Sequence, residues 1–184
     1  MVAPILIILI LLLGLFLLLS YNKLVKARNV AEEGWSGVDV QLKRRRDLIP
    51  NLVATVQGYA AHEAETLQAV TENRVVAESA SHAGPSQAAP AENRLTGSLR
   101  GLFAVAENYP QLKADQNFLQ LQRALVDIEN NVAGARVIYN GNARVYNDRT
   151  QSFPSNFIAS AFDFKSLPYV EAAARERVPT QVGF

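Results

Sequence analysis

The feature that most constrains this chain is an N-terminal apolar run. Residues 2–19 carry no charged side chain, and Ser20, Tyr21 and Asn22 close the run. About 18–20 helical residues at 1.5 Å each reach roughly 27–30 Å, enough to cross a hydrocarbon core. A helix buried in a protein core would seldom be apolar on every face. A cleaved signal peptide would want a basic start, a shorter apolar core and a small-residue cleavage site, and Leu17-Leu18-Leu19-Ser20-Tyr21 is a poor one. Residues 1–21 are therefore expected to form a retained transmembrane anchor. Lys23, Lys26 and Arg28 follow it closely, and no Lys or Arg precedes it. The positive-inside rule then places the N-terminus outside and the remaining chain in the cytoplasm. Tyr21, Lys23, Lys26 and Arg28 are the expected membrane interface, with the lipid bilayer as partner.

The anchor inflates the overall 49% hydrophobic content, so the rest of the chain is more polar than the average implies. With 18 basic and 17 acidic residues the formal net charge is +1, which argues against a nucleic-acid binder. The absence of cysteine removes disulfides, thiolate chemistry, cysteine-ligated zinc and a cysteine-linked lipid anchor.

Beyond the anchor the apolar positions recur with helical spacing. Leu24, Ala31, Val38, Leu52 and Tyr59 share one heptad position, and Trp35, Leu42, Ile49, Val56 and Val70 share another. Arg45 interrupts the first series and Glu63 the second. Because the phase survives Pro50, the pattern predicts one long helix from the membrane to about residue 79, with Pro50 as a bend or hinge. The rival is a tight turn at 47–50 between antiparallel helices. Residues 79–90, with Gly84-Pro85 and Pro90, read as a loop. A second helix is expected over about 91–107 and a third over about 112–151, with Gly134 and Gly141 as places where another helix could approach. Nothing reads as a strand. The expected fold is all-α: the anchor at 1–21 continuing into an antiparallel bundle of three to four helices over 22–152, with a loop at about 80–91 and an aromatic-rich tail over 153–184. In that tail, short helices are expected at about 155–162 and 167–175. Phe153, Phe157, Phe162 and Phe164 either latch onto the bundle or dock on a membrane or a neighbouring subunit.

No motif points to catalysis or to a cofactor. His62 and His82 are the only histidines, and His62-Glu63-Ala64-Glu65 lacks the second histidine of a zincin. Neither Gly34-Trp35-Ser36-Gly37 nor Gly97-Ser98 fits a nucleophile elbow, and no phosphate loop or dinucleotide fingerprint is present. Lys43-Arg44-Arg45-Arg46 spreads around a helix at about 100° per residue. One of the four, Arg45 by periodicity, must therefore face the bundle and find a carboxylate or carbonyl; the rest are solvated or meet an anionic partner. On the third helix Tyr139/Tyr146 and Asn140/Asn147 are each seven residues apart, so each pair shares a face. They read as polar layers that fix helix register, with Arg136 reaching Asn140 or Glu129 and with Asn51, Asn73 and Arg74 as partners across the interface. A groove for a small ligand is the alternative.

The segment YNKLVKARNVAEEGWSGVDVQLKRRRDLIPNLVATVQGYAAHE, with its DLIPNLV core, and the later run NFLQLQRALVDIENNVAGARVIYNGNARVYNDRTQSFP resemble the two signatures of the LemA family. The resemblance implies a bacterial cell-membrane protein with an N-terminal transmembrane helix, a short extracytoplasmic N-terminus and an elongated helical bundle. Some relatives occur with magnetosome membranes. It supplies no catalytic residues. The expected role is a non-enzymatic, membrane-anchored scaffold that forms homo-oligomers, in coiled-coil fashion, or recruits a protein partner. A signalling adaptor hinged at Pro50 is the second reading, and a membrane-bound hydrolase the third.

Overall fold

The computed structural model describes residues 2–170 and is all-helical in its regular structure, with no strand among the described residues. The first helix, α1 (Val2–Gln57), runs from within the apolar stretch through Pro50 as a single 56-residue element. Its apolar residues 5–19 are exposed, as a helix solvated by lipid requires. Below them a heptad-spaced stripe of Leu24, Ala31, Val38, Leu42, Ile49, Leu52 and Val56 is buried.

Proline at position 50 cannot donate to the carbonyl four residues earlier. That carbonyl belongs to Arg46, and it accepts instead from Nε of Arg74, at 3.1 Å. The helix therefore continues through Pro50 with its orphaned acceptor satisfied. It does not continue to residue 79. It ends at Gln57, and the chain reverses through residues 58–63, where Tyr59 and Ala60 donate back to the Val56 carbonyl and Ala60 is buried. Neither the single long helix nor the tight turn at 47–50 is what forms. Val70 kept the heptad phase because α2 (Ala64–Ser81) lays its own stripe of Leu67, Val70 and Ala77 on the same core after the reversal.

The expected loop at 80–91 shrinks to residues 82–84. Gly84, at a φ of 83° that disfavours residues with a Cβ, turns the chain, and Pro85 opens α3 (Pro85–Ala106) at a position that needs no N–H donor. Pro90 lies inside α3 on an exposed face. A short α4 (Pro110–Ala114) leads to Asp115, which caps α5 (Gln116–Gln151) by accepting from the Phe118 N–H at 2.9 Å. What had read as one helix from 112 is thus two, broken at the cap. The last helix among the described residues is α6 (Ser155–Ala161).

α5 runs antiparallel along α1 for the length of the domain. Tyr59 meets Asp115, Arg45 meets Glu129, Val30 meets Asn142 and Lys23 meets Arg149, so each partner steps back as the other advances. Far from the anchor, α2 and α3 join this pair around a core of Ile49, Leu52, Val70, Leu95, Leu102 and Phe118. Nearer the anchor α1 and α5 continue, packed through Val38, Leu42, Val132, Tyr139 and Ala143, with Leu167 and Val170 on the same cluster and α6 against Leu24. α1 and α5 approach closely at Gly34, where a Cβ would lie 3.0 Å from Nδ2 of Asn142 and 3.3 Å from the Tyr139 Cα. Gly134 and Gly141, expected to admit a neighbouring helix, have open space around them.

Candidate functional site

A strap of the chain's own backbone fills the groove between α1 and α5, and the polar residues of α5 hold it. Residues 164–170 form neither helix nor strand. Asn147 donates from Nδ2 to the Leu167 carbonyl at 2.9 Å and accepts the Leu167 N–H on Oδ1 at 2.8 Å. Asn140 repeats this on Val170, at 2.9 Å in both directions. The hydroxyls of Tyr146 and Tyr139 donate to the carbonyls of Lys165 and Pro168 at 2.9 and 2.8 Å. The spacings match physically: seven helical residues advance about 10.5 Å and three extended residues about 10 Å. An asparagine every two turns thus meets every third residue of an extended chain, and its amide satisfies both backbone groups.

These four residues are thus a ladder for an extended backbone, and the proposed polar layers between helices are not what they make. Asn51 is exposed and Asn73 half-buried on other elements, while Arg74 serves the Arg46 carbonyl. Arg136 is buried on α5, and Glu129 faces Arg45. The expected helix at 167–175 is replaced over 167–170 by the strap, and its remainder lies outside the described residues. Desolvation pushes the Tyr139 phenol up to about 12, and burial also raises that of Tyr146.

The arginine run forms a second constellation. Arg45 and Arg46 are both buried, and both grip the fully buried carboxylate of Glu92 on α3, one on each oxygen. Arg45 also donates to Glu129 and Thr96 at 2.7 and 2.9 Å, and Arg46 approaches Asp39 at 3.5 Å. The sequence pattern pointed to one inward arginine and gave no sign of the second, nor of Thr96 as a partner. Glu92 was legible: Ala88, Ala91, Leu95, Leu99 and Leu102 place it on the inner face of a helix, once that helix is allowed to start before Pro90.

At the anchor-proximal end the aromatic tail divides. Phe164 is packed with Leu24, Ile158 and Ala159, and Phe162 and Phe164 meet the Tyr21 ring edge-on at 5.0 and 5.5 Å. Phe153 and Phe157 pair with each other at 6.0 Å and are exposed. Lys23 and Lys26 border a cleft beside α6, and Arg28 pairs with Glu32 at 2.8 Å. Among the described residues no cluster of three or more His, Cys, Asp or Glu side chains is arranged to hold a metal ion; His62 and His82 lie beyond opposite ends of α2.

Among proteins of known name, this chain is 26% identical over 179 residues to magnetosome protein MamQ 1 of Paramagnetospirillum magneticum, covering 84% of this chain and 66% of that one. It is 26% identical over 177 residues to magnetosome protein MamQ of Magnetospirillum gryphiswaldense, covering 83% and 65%. To protein LemA of Metamycoplasma hominis it is 26% identical over 162 residues, covering 85% and 71%. The chain thus spans just under two thirds of the length of the MamQ proteins it matches. The apolar N-terminal helix and these relatives together suggest a membrane-anchored protein. The sequence model of the LemA family matches residues 34–184, and the chain belongs to the LemA family.

Proposed function

We propose that this protein is a membrane-anchored, non-catalytic scaffold that self-assembles and so presents a rigid helical head at the bacterial cell membrane, with the head on the cytoplasmic side. The observation that carries this reading is the continuity of α1. One helix passes from the exposed apolar run to the far end of the domain, and about 36 residues beyond the anchor carry the head roughly 54 Å from the bilayer surface. α5 braces it over that length, and Lys23, Lys26 and Arg28 on the domain side of the anchor support the orientation. Pro50 is tied by Arg74, which counts against a free hinge and so against the adaptor reading.

The outer face of α5 supports self-assembly. Val137, at 73% exposed, lies with Ile138 between the open positions Gly134 and Gly141, and Val145 follows a turn beyond Gly141, on a face that the described residues leave uncovered. Copies anchored in one membrane share an orientation, so these faces meet at the same height. Light scattering of the full-length protein in mild detergent is expected to give a defined oligomer, and Val137→Ser with Ile138→Ser is expected to reduce its mass without loss of helix. A strict monomer at every concentration would overturn the assembly reading.

A further inference from the structure

α6 is two-faced. Ile158 and Ala159 are buried against Leu24 of α1, while Phe157, with Phe153 just before the helix and Phe162 just after it, turns away from the core at 65, 80 and 62% exposed. The height of these rings is set by α1. Pro154 and Ser155 line the same cleft as Phe16 and Ser20 of the apolar run, and Phe162 packs on Tyr21, the residue next to that run's end. Phe16 and Tyr21 are separated by about 7.5 Å along the helix. Wherever the apolar run sits in hydrocarbon, residues 153–162 therefore lie at the boundary of the same bilayer. In water three exposed rings so close together would be an apolar patch of the kind that marks a contact surface; at a bilayer boundary aromatic rings are at home. The same cleft is rimmed by Lys23, Lys26 and Arg149, with no acidic residue in its lining among the described residues. Arg149 is fixed there by a 3.0 Å hydrogen bond to the Lys23 carbonyl.

We propose that this end of the domain is a second membrane contact: Phe153, Phe157 and Phe162 enter the interfacial layer of the bilayer that α1 crosses, and Lys23, Lys26 and Arg149 draw on the phosphates of anionic lipids. The proposal rests on the reading of α1 as a membrane anchor. Two attachment points, one spanning and one lying on the surface, would fix the tilt of the α1–α5 stalk, which a single helix leaves free to rock.

The chain lacks cysteine, so single-cysteine variants carry one label each. Full-length Leu12→Cys, Phe157→Cys and Val137→Cys, each bearing a nitroxide, would be reconstituted in vesicles of phosphatidylcholine and phosphatidylglycerol. Accessibility to oxygen and to a water-soluble nickel chelate would then be compared. The label at 12 is expected to be shielded from nickel, the label at 137 open to it, and the label at 157 shielded nearly as well as the label at 12. A label at 157 as open to nickel as the label at 137, with the label at 12 still shielded, would overturn the proposal and leave the anchor standing. A label at 12 as open as the label at 137 would overturn the anchor reading and this proposal with it. In the Phe157→Cys background, Lys23→Gln with Lys26→Gln is expected to raise nickel accessibility at least about twofold. Unchanged accessibility would remove the lipid phosphates from the assignment.

Discussion

Replacing Glu92 with leucine is expected to be the most damaging single change in the head. The carboxylate is 0% exposed and is the shared counter-ion of two buried guanidinium groups. Removing one partner of a buried ion pair costs about 3–5 kcal/mol, because the other charge is left uncompensated in a poor solvent. Here two charges lose their partner, but neither is left bare. Arg45 keeps Glu129, whose side chain is 39% exposed, and Arg46 keeps the more distant Asp39. Those partners share their charge with water and offset the loss only partly, so the expected cost stays near 3–5 kcal/mol. Against a typical domain stability of about 5–15 kcal/mol this is a large fraction. Urea denaturation of the detergent-solubilised full-length protein, followed by far-ultraviolet circular dichroism, measures it without screening the charges. Glu129→Leu is the control and is expected to cost about 1 kcal/mol or less. The triple change Arg45→Met, Arg46→Leu, Glu92→Leu removes every fully buried charge of the cluster and is expected to recover most of the loss. A cost below about 1 kcal/mol for Glu92→Leu would refute the electrostatic account. A triple variant as unstable as the single one would place the damage in packing rather than charge.

Asn147→Ala leaves the Leu167 N–H and carbonyl without their shared partner and is expected to cost about 1–3 kcal/mol, read as faster proteolysis within 164–170 while helix content holds. Asn140→Leu is expected to act the same way on Val170. Tyr139 titrates near 10.0 when unfolded and at about 12 in the fold, so its contribution is complete below pH 10 and is lost as the pH climbs from 10 to 12. At about 1.4 kcal/mol per pH unit this amounts to roughly 2–3 kcal/mol, and Tyr139→Phe is expected to flatten the stability curve over that interval; an unchanged slope would refute it. Gly37→Ala enters open space and is expected to stabilise by about 0.5–1 kcal/mol, whereas Gly34→Ala meets the backbone of α5 and is expected to be about 1–2 kcal/mol worse than Gly37→Ala in the same denaturation assay.

The parts legible in the sequence were those governed by interactions close along the chain. The apolar run, the heptad stripes of α1 and α5 and the absence of strands come from local spacing and transfer energetics, and they set the class of fold. Proline misled once: at Pro90 a missing donor reads as a break, yet the helix continues there, as it does through Pro50, where the heptad phase pointed to continuity. At Pro50 a residue 24 positions later, Arg74, supplies the hydrogen bond that makes this tolerable. Heptad phase misled once, because two helices facing one core keep the same phase whether or not the chain reverses between them.

The site residues divide along the same line. That Tyr139, Asn140, Tyr146 and Asn147 share a face is set by 3.6 residues per turn, and the sequence alone determined it. What that face holds was decided by the return of residues 164–170 along the groove. Pro168 offered a hint, since it biases Leu167 away from the helical region, but a proline is also at home in the first turn of a helix, so the sequence left both open. The buried charge cluster is tertiary in the same sense: Arg45 is inward by periodicity, but only the packing of α3 against α1 buries Arg46 as well and brings Glu92 between them. Helical periodicity tells which residues face inward; which partner waits there depends on contacts dozens of residues apart, and those exist only once the chain has folded.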